Sequence, residues 1–355
     1  MKKVISVLLC VVMLFGMLCM PASALSKTAG LKALQGLFVD GHGYNFDYVF
    51  YSPVKSDNDK TKYPLIIWLH GQFSSVFERQ QLTSYNIAYW ACDEYQSRIR
   101  GTGGAFLYLP RDPNIDISWS GECAKLKRDL DLFVSQYADH IDTDRIYIGG
   151  LSMGGRGTMR MVAAYPDFFA AAYPISPVYN PTDAELRSMA KVPTWLISCK
   201  YDYLVSHSTL QNVWKYLNQY SSAPHLNRWA LFSNPTYIYP SILGMQPPFM
   251  VKSDGTLIAE PIYYTHDTWT AACADLFMDD NTPYKNINVI NGNNYPVKMQ
   301  YPQGLLYWMS SQGYDENGSS GDSDNNSQGG IISGITNIFK QIFDLFRKMI
   351  EIIMG

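Results

Sequence analysis

The sequence predicts an α/β domain built on a mostly parallel sheet that is flanked by helices. A continuous apolar run at 65–69 suits a strand that is buried on both faces. Apolar residues over 126–137 recur at the spacing of an amphipathic helix, and strand-like and helix-like segments then alternate as far as residue 232. Such alternation is typical of doubly wound α/β domains, in which helices connect parallel strands.

The predicted elements follow one another in a regular order. Strands are predicted at 46–51, 65–69, 105–109, 145–148, 171–175, 194–198 and 228–232, and helices at 126–137 and 154–165. Two stretches interrupt the alternation: 234–264 is rich in Tyr, Pro and Met, and 279–303 in Asn, Tyr and Pro. Long irregular segments inside a compact domain are usually functional loops. We therefore expect two loop insertions that frame a substrate cleft.

The composition is that of a folded domain. The 355 residues are 47% hydrophobic and 17% charged, and the net charge is only −3. This charge gives no electrostatic reason to expect nucleic acid as a partner. The 26 Tyr and eight Trp residues exceed the needs of a core. We expect several of them at a ligand cleft, because their rings combine an apolar body with a polar tip.

Residues 1–24 have the pattern of a signal peptide. Two lysines precede a nearly pure apolar run at 4–20, and Pro21-Ala22-Ser23-Ala24 supplies the small residues that signal peptidase accepts. We expect cleavage after Ala24 and a secreted protein, extracellular or associated with the cell surface. The alternative is an uncleaved anchor, although the run falls short of a comfortable membrane span.

A serine with the pattern of an activated nucleophile follows the predicted strand at 145–148. Gly150-Leu151-Ser152-Met153-Gly154 matches G-x-S-x-G, and a predicted helix comes directly after it. The sharp turn needs glycines because the two backbones approach too closely for a Cβ atom. The turn raises the serine hydroxyl above the sheet and aims the positive end of the helix at a developing oxyanion. Ser152 is the predicted nucleophile.

The catalytic acid and base should lie C-terminal to Ser152, because they follow the serine in chains with this turn. Asp202 lies in the loop just past the strand at 194–198 and is the predicted acid. His207 is so close to Asp202 that we expect it to open the next helix, and His225 precedes a strand, at the wrong end of the sheet. His266 is therefore the predicted base, with Asp202 holding its tautomer.

An oxyanion hole needs two backbone N–H donors. Met153, directly after the nucleophile, is the first prediction. The loop after the strand at 65–69 supplies the second, for which we choose Gln72, with Gly71 as the alternative. We expect His70 in this loop to be a packed, hydrogen-bonded support rather than a base.

These motifs resemble those of secreted carbohydrate esterases of the feruloyl and acetylxylan type, and of the related polyhydroxybutyrate-depolymerase-like esterases. The resemblance covers residue 44 to about 312 and rests on four segments: Trp68-Leu69-His70-Gly71, the run 141–155, Tyr201-Asp202 with Val205, and His266-Asp267-Thr268-Trp269. It implies the α/β-hydrolase fold, the same triad, and hydrolysis of a small ester or acylated polysaccharide with no cofactor and no metal. The two insertions depart from the compact family pattern where acyl or sugar selection is decided.

Two further functions share this core. A serine peptidase of the prolyl-oligopeptidase type is the first, although no propeller domain precedes the core in this sequence. A catalytically inactive binding protein is the second; such proteins typically lose the serine or the histidine, and both are present here. Activity on defined substrates separates the two enzymes, because fold analogy does not fix a substrate.

The chain beyond the catalytic domain, predicted at 25–312, has a different character. Residues 313–330 are rich in Gly, Ser, Asn and Asp, which is the composition of a flexible linker. Residues 331–355 predict an amphipathic helix, whose heptad seam consists of Ile335, Ile338, Ile342, Leu345, Met349 and Ile352. Because such a face needs cover, we expect the helix to dock on its own domain, to self-associate, or to touch a membrane surface.

Four cysteines remain beyond the signal peptide: Cys92, Cys123, Cys199 and Cys273. An even count in an exported protein permits disulfides. We favour Cys199 with Cys273, because both lie near the candidate catalytic segments. Buried thiols are the alternative, and no spacing of cysteine and histidine resembles a metal site.

Overall fold

The structure of the chain is a computed structural model, which divides into two compact units, Met1–Tyr314 and Asp315–Gly355. It describes residues 25–26, 29–72, 82–83, 87–113, 119, 121–232, 266, 268–273, 287–297 and 304–315. The predicted signal peptide, the insertion at 234–264 and the C-terminal helix at 331–355 lie outside the described residues.

The described residues form one nine-stranded sheet with a parallel centre. The strands are β1 (Val39–His42), β2 (Asp47–Tyr51), β3 (Tyr63–Leu69), β4 (Phe106–Pro110), β5 (Ile141–Leu151), β6 (Ala171–Ile175), β7 (Trp195–Cys199), β8 (Arg228–Phe232) and β9 (Ile287–Asn291). Their order across the sheet is β1-β2-β4-β3-β5-β6-β7-β8-β9. Pairing is parallel from β4 to β8 in this order and antiparallel for β1–β2, β2–β4 and β8–β9.

Helices accompany the sheet between most of its strands. The α-helices of the described residues are α1 (Leu31–Gln35), α2 (Asp93–Gln96), α3 (Cys123–Gln136), α4 (Met153–Ala164), α5 (Asp183–Met189), α6 (His207–Tyr220), α7 (Trp269–Cys273) and α8 (Leu305–Ser310). Short 3-10 helices lie at Ile87–Ala91, Pro166–Phe168 and Pro224–Leu226. Within these ranges, no helix combines the length and the apolar character that crossing a membrane requires.

The continuous apolar run of β3 is explained by burial on both faces of the sheet. All seven residues of β3 are buried. Successive side chains point to opposite faces, so Ile66 and Trp68 join one core cluster, whereas Leu65 and Ile67 join another. A half-exposed strand would show alternating polarity instead.

Most of the predicted elements agree with the structure, and the second insertion is the main correction. The predictions for β6 and β8 match both bounds, and the other predicted strands overlap the observed ones. The stretch 279–303, expected to be a loop, contains β9, which pairs antiparallel with β8. Because β9 is a short edge strand among Asn residues, its local pattern is weak, and its extended form depends on pairing with β8.

The expected Cys199–Cys273 disulfide is wrong, because all four cysteines are thiols in the structure. Cys92, Cys199 and Cys273 are buried in the same core cluster. Burial raises the pKa of Cys92 to about 11 and also raises the pKa of Cys199, so both thiols stay protonated at neutral pH. Such cysteines act as small apolar core groups.

Candidate active site

The turn that carries Ser152 is a single residue long. β5 ends at Leu151 and α4 begins at Met153. Ser152 has φ 53° and ψ −112°, a conformation that residues other than glycine rarely adopt and that costs free energy. Its N–H donates to the Ile175 carbonyl over 2.8 Å, and its carbonyl accepts from Arg156 N over 3.0 Å. The neighbouring strand and the first helical turn therefore hold the strained residue.

The two glycines of the motif permit a close backbone approach. A Cβ atom on Gly150 would lie 2.4 Å from the Leu69 carbonyl oxygen, and one on Gly154 would lie 2.0 Å from the same atom. Both distances are far below van der Waals contact, so any side chain would displace β3 or α4. The glycines of G-x-S-x-G have here the steric role that the sequence predicts.

Ser152, His266 and Asp202 form a chain of hydrogen bonds. Ser152 Oγ lies 2.9 Å from His266 Nε2, and His266 Nδ1 lies 2.7 Å from Asp202 Oδ2. Asp202 Oδ1 accepts from Leu204 N over 2.8 Å and Val205 N over 3.1 Å, so the carboxylate is held on both oxygens. Because a carboxylate only accepts, His266 Nδ1 carries the proton, and Nε2 is left to accept from the serine hydroxyl.

The other two candidate histidines lie where the sequence places them. His207 is the first residue of α6, and His225 lies in the 3-10 helix before β8.

The Asp202 carboxylate and the His266 imidazole are both buried: 8% of Asp202 and 5% of His266 are exposed. Water is thus largely excluded from the bond between them, which strengthens it.

The loop after β3 places His70 against the Gly71-Gln72 peptide. His70 Nε2 accepts from Asp112 N over 3.0 Å, so Nδ1 carries the proton and donates to the Gly71 carbonyl over 2.7 Å. That carbonyl and the Gln72 N–H belong to one planar peptide, so His70 fixes the direction of the N–H predicted to bind the oxyanion. Burial lowers the pKa of His70 to about 4, which keeps the ring neutral at neutral pH. His70 supports the loop, as predicted.

A buried network missed by sequence reasoning connects this loop to α4. Asp112 Oδ2 accepts from Trp119 N over 2.5 Å, and Trp119 Nε1 donates to the His70 carbonyl over 2.9 Å. The network reaches α4 at Gly157, where a Cβ atom would lie 2.7 Å from Trp119 Cβ. The available signal was the position of Asp112 just past β4, because polar residues at the carboxyl ends of parallel strands meet at one edge.

Two aromatic side chains lie beside His266. The Trp269 ring meets the imidazole edge-on at 5.1 Å between centroids, and the Tyr203 ring lies at 6.0 Å. Tyr203 is 66% exposed, and its neighbours Tyr201 and Leu204 are 57% and 53% exposed. The loop that carries Asp202 therefore exposes apolar groups, of which Tyr203 lies beside the candidate base. Among the described residues, no group of three or more His, Cys, Asp or Glu is placed to hold a metal ion.

The sheet order and this site define the α/β-hydrolase fold. A sequence model described as the prolyl oligopeptidase family matches residues 129–228, a range that includes Ser152 and Asp202. Poly(3-hydroxyalkanoate) depolymerase C of Paucimonas lemoignei is 29% identical over 115 residues, which are 32% of this chain. The match spans only 27% of that relative's length.

A solved structure shows the same fold. The crystal structure of a thermostable esterase matches with a TM-score of 0.51 at 20% identity, over 68% of this chain and 61% of that one. Fold and comparisons agree on the α/β-hydrolase fold, and the proteins and the family model that this chain is similar to include an esterase, a depolymerase and the prolyl oligopeptidases.

Proposed function

We propose that the chain is a serine carboxylic-ester hydrolase, with Ser152 as nucleophile, His266 as base and Asp202 as orienting acid. The observation that carries the proposal is the hydrogen-bond chain from Ser152 Oγ through His266 to Asp202, set on a strained strand-to-helix turn. A strained nucleophile beside an oriented base is the arrangement that serine acyl transfer requires.

The reaction proceeds through an acyl-enzyme. Ser152 Oγ attacks the ester carbonyl while His266 Nε2 takes the hydroxyl proton, and Asp202 stabilises the imidazolium without taking that proton. The N–H groups of Met153 and Gln72 hold the oxyanion. His266 then gives the proton to the leaving alcohol. Water repeats the sequence on the acyl-enzyme and releases the acid.

Two features favour an ester with an apolar or aromatic group. The depolymerase that matches residues of this chain carries a polyester in its name, and the matching solved structure is named an esterase. The exposed side chain of Tyr203 lies beside His266, on a loop that also exposes Tyr201 and Leu204, and such a surface suits an apolar group better than a charged one. Acylated polysaccharides and small esters are the proposed substrates.

A serine peptidase is the second candidate, and one observation favours it. The family model over residues 129–228 is that of the prolyl oligopeptidases. Ser152 would then attack an amide carbonyl, and His266 would protonate the leaving amine in place of an alcohol. Ester and amide substrates therefore have to be compared directly.

The test is hydrolysis by the purified chain of para-nitrophenyl acetate, methyl ferulate, a poly(3-hydroxybutyrate) suspension and a proline amide, beside Ser152→Ala. Ester cleavage that disappears in Ser152→Ala supports the proposal, and the preferred ester names the acyl group. Amide cleavage with little ester cleavage moves the chain to the peptidases. A folded chain without turnover of any substrate contradicts the proposal and favours a binding protein.

Export is also proposed, from the signal-like residues 1–24. The supporting pattern is the lysine start, the apolar run and the small residues before Leu25. Protein recovered from the culture medium should begin at Leu25 when its N-terminus is sequenced. An intact N-terminus in the membrane fraction would support an uncleaved anchor instead.

The heptad pattern at 331–355 supports a proposal of helix docking or self-association. Light scattering of the purified chain, beside a variant with Ile342→Asp and Leu345→Asp, distinguishes them. A parent chain that is a dimer and a variant that is a monomer would indicate self-association. Flotation with lipid vesicles, abolished in the same variant, would indicate a membrane surface.

A further inference from the structure

The segment that carries His266 is attached to the domain by hydrogen bonds to distant residues. Thr268 Oγ1 lies 2.8 Å from Ser176 Oγ. Further along, Trp90 Nε1 donates to the Cys273 carbonyl over 2.7 Å. The first bond is two residues from His266 and the second is at the far end of α7, so the first has the more direct effect on the imidazole.

Thr268 is coupled to His266 through the backbone. Its N–H donates to the His266 carbonyl over 3.1 Å, and its carbonyl accepts from the N–H of Ala272 in α7 over 3.1 Å. Thr268 is fully buried. A displacement of the Thr268 side chain is therefore transmitted to the backbone of His266 rather than absorbed by a loose connection.

Ser176 lies where the three triad-bearing parts of the domain meet. It follows Ile175, whose carbonyl accepts from Ser152 N over 2.8 Å, and its own N–H donates to Ile197 O in β7 over 2.8 Å. β7 leads into the loop of Asp202. The Ser176 hydroxyl completes the set by contacting Thr268.

The backbone of Ser176 is itself strained. Its φ is 43°, in the left-handed region, and the residue is fully buried. Non-glycine residues in this region cost free energy, and they cluster where surrounding structure fixes a functional geometry. In this conformation the Ser176 hydroxyl points to the histidine segment and forms its hydrogen bond with Thr268.

We propose that Ser176 and Thr268 are positioning residues for the reaction. Their hydroxyl-to-hydroxyl bond ties the His266 segment to the sheet edge that carries Ser152 and Asp202. The imidazole is thereby held at hydrogen-bond distance from both partners. This inference rests on the proposed function, because it assigns the pair to the triad.

The energetics of buried hydroxyls provide a test that separates positioning from stability. Removing one partner leaves the other buried and unsatisfied, whereas replacing both by apolar groups of similar shape is nearly neutral for stability. Ser176→Ala with Thr268→Val should therefore fold normally and still lack the bond. A misplacement of about 1 Å in an active site can reduce turnover by roughly 10²-fold.

The experiment measures kcat, KM, thermal unfolding and the rate of Ser152 labelling by a fluorophosphonate. It compares the parent chain with Ser176→Ala/Thr268→Val, with Thr268→Ser, and with the control Thr194→Val. Thr194 is also a buried threonine, and its hydroxyl donates locally, to the Val192 carbonyl. We expect the double variant to lose about 10- to 100-fold in kcat and in labelling rate, with KM and unfolding temperature near the parent values.

The two remaining variants check specificity. Thr268→Ser keeps the hydroxyl and should retain most of the activity. Thr194→Val should match the parent in kcat and labelling rate, and its unfolding temperature should fall because the Val192 carbonyl loses its donor. A double variant that folds and keeps full kcat and labelling rate overturns the inference. A parent chain that neither labels nor hydrolyses any ester instead overturns the proposed function, so the two failures are distinguishable.

Discussion

The nucleophile turn, 150–154, and the histidine segment, 266–273, meet at one hydrogen bond but are positioned by different means. The turn is specified by a motif of five residues, whose two glycines and strained serine pack against β3 and are held by the Ile175 carbonyl of the neighbouring strand. The histidine segment is fixed by partners distant in the chain, Ser176 and Trp90. The difference shows that local sequence sets the nucleophile, whereas long-range contacts set the base.

The greatest loss of turnover is predicted when the residue that orients His266 is replaced. Asp202→Asn should reduce turnover about 10⁴-fold, because the amide can donate to His266 Nδ1 and stabilise the wrong tautomer. Ester hydrolysis with burst-phase analysis measures it. Asp183→Asn, on exposed α5, is the control and should match the parent. Turnover retained within tenfold in Asp202→Asn would show that this carboxylate does not orient the base.

The next prediction concerns the close packing of the nucleophile turn against β3. Gly154→Ala should destabilise the fold by about 3 kcal/mol or more, because its Cβ would lie 2.0 Å from the Leu69 carbonyl oxygen. Urea unfolding measures the loss. Gly121→Ala, whose Cβ would meet no atom within 4 Å, is the matched control and should leave stability nearly unchanged. Equal stability of the two variants would contradict the packing described for the turn.

The stability of the domain should depend on pH through His70, which supports the predicted oxyanion donor Gln72. His70 has a folded pKa of about 4, against an ordinary value of 6.5, so the folded state binds fewer protons between these values. Stability therefore falls as pH drops from 6.5 towards 4, by up to about 3 kcal/mol. His70→Asn, uncharged at every pH, should lose this part of the slope when unfolding is measured across the window.

Exposed His225 supplies the control for that measurement. His225→Asn should keep the parent slope, because the contribution comes from burial of the His70 ring. A parental slope in His70→Asn would show that other groups account for the acid sensitivity.

The last prediction, with the smallest effect, concerns the redox state of the cysteines, including Cys273 in the histidine segment. The chain from Leu25 onward, denatured without reductant, should show four thiols with Ellman's reagent, because Cys92, Cys123, Cys199 and Cys273 are all thiols. Excess dithiothreitol should leave activity and unfolding temperature unchanged. Two titratable thiols would instead indicate a disulfide and a cross-linked histidine segment.

Much of the fold and site could be predicted because the relevant patterns are local. The run at 65–69 predicts a doubly buried strand by composition alone, and G-x-S-x-G between strand and helix predicts the turn of Ser152. The edge strand β9 could not be predicted, because its short pattern among Asn residues is stabilised by pairing with β8. The disulfide prediction failed for a related reason, since nearness of two cysteines to the same site does not fix the geometry of their sulfur atoms.

By itself, the sequence determined the chemical groups of the candidate site: a serine on a glycine turn, an aspartate past a strand, and a histidine downstream of both. Only the tertiary structure decided how these groups are held. The bond between Ser176 and Thr268 spans 92 residues, and the network of His70, Asp112 and Trp119 joins the loop after β3 to the connection between β4 and α3. Such contacts depend on which strand ends share an edge of the sheet, and no local pattern encodes that arrangement.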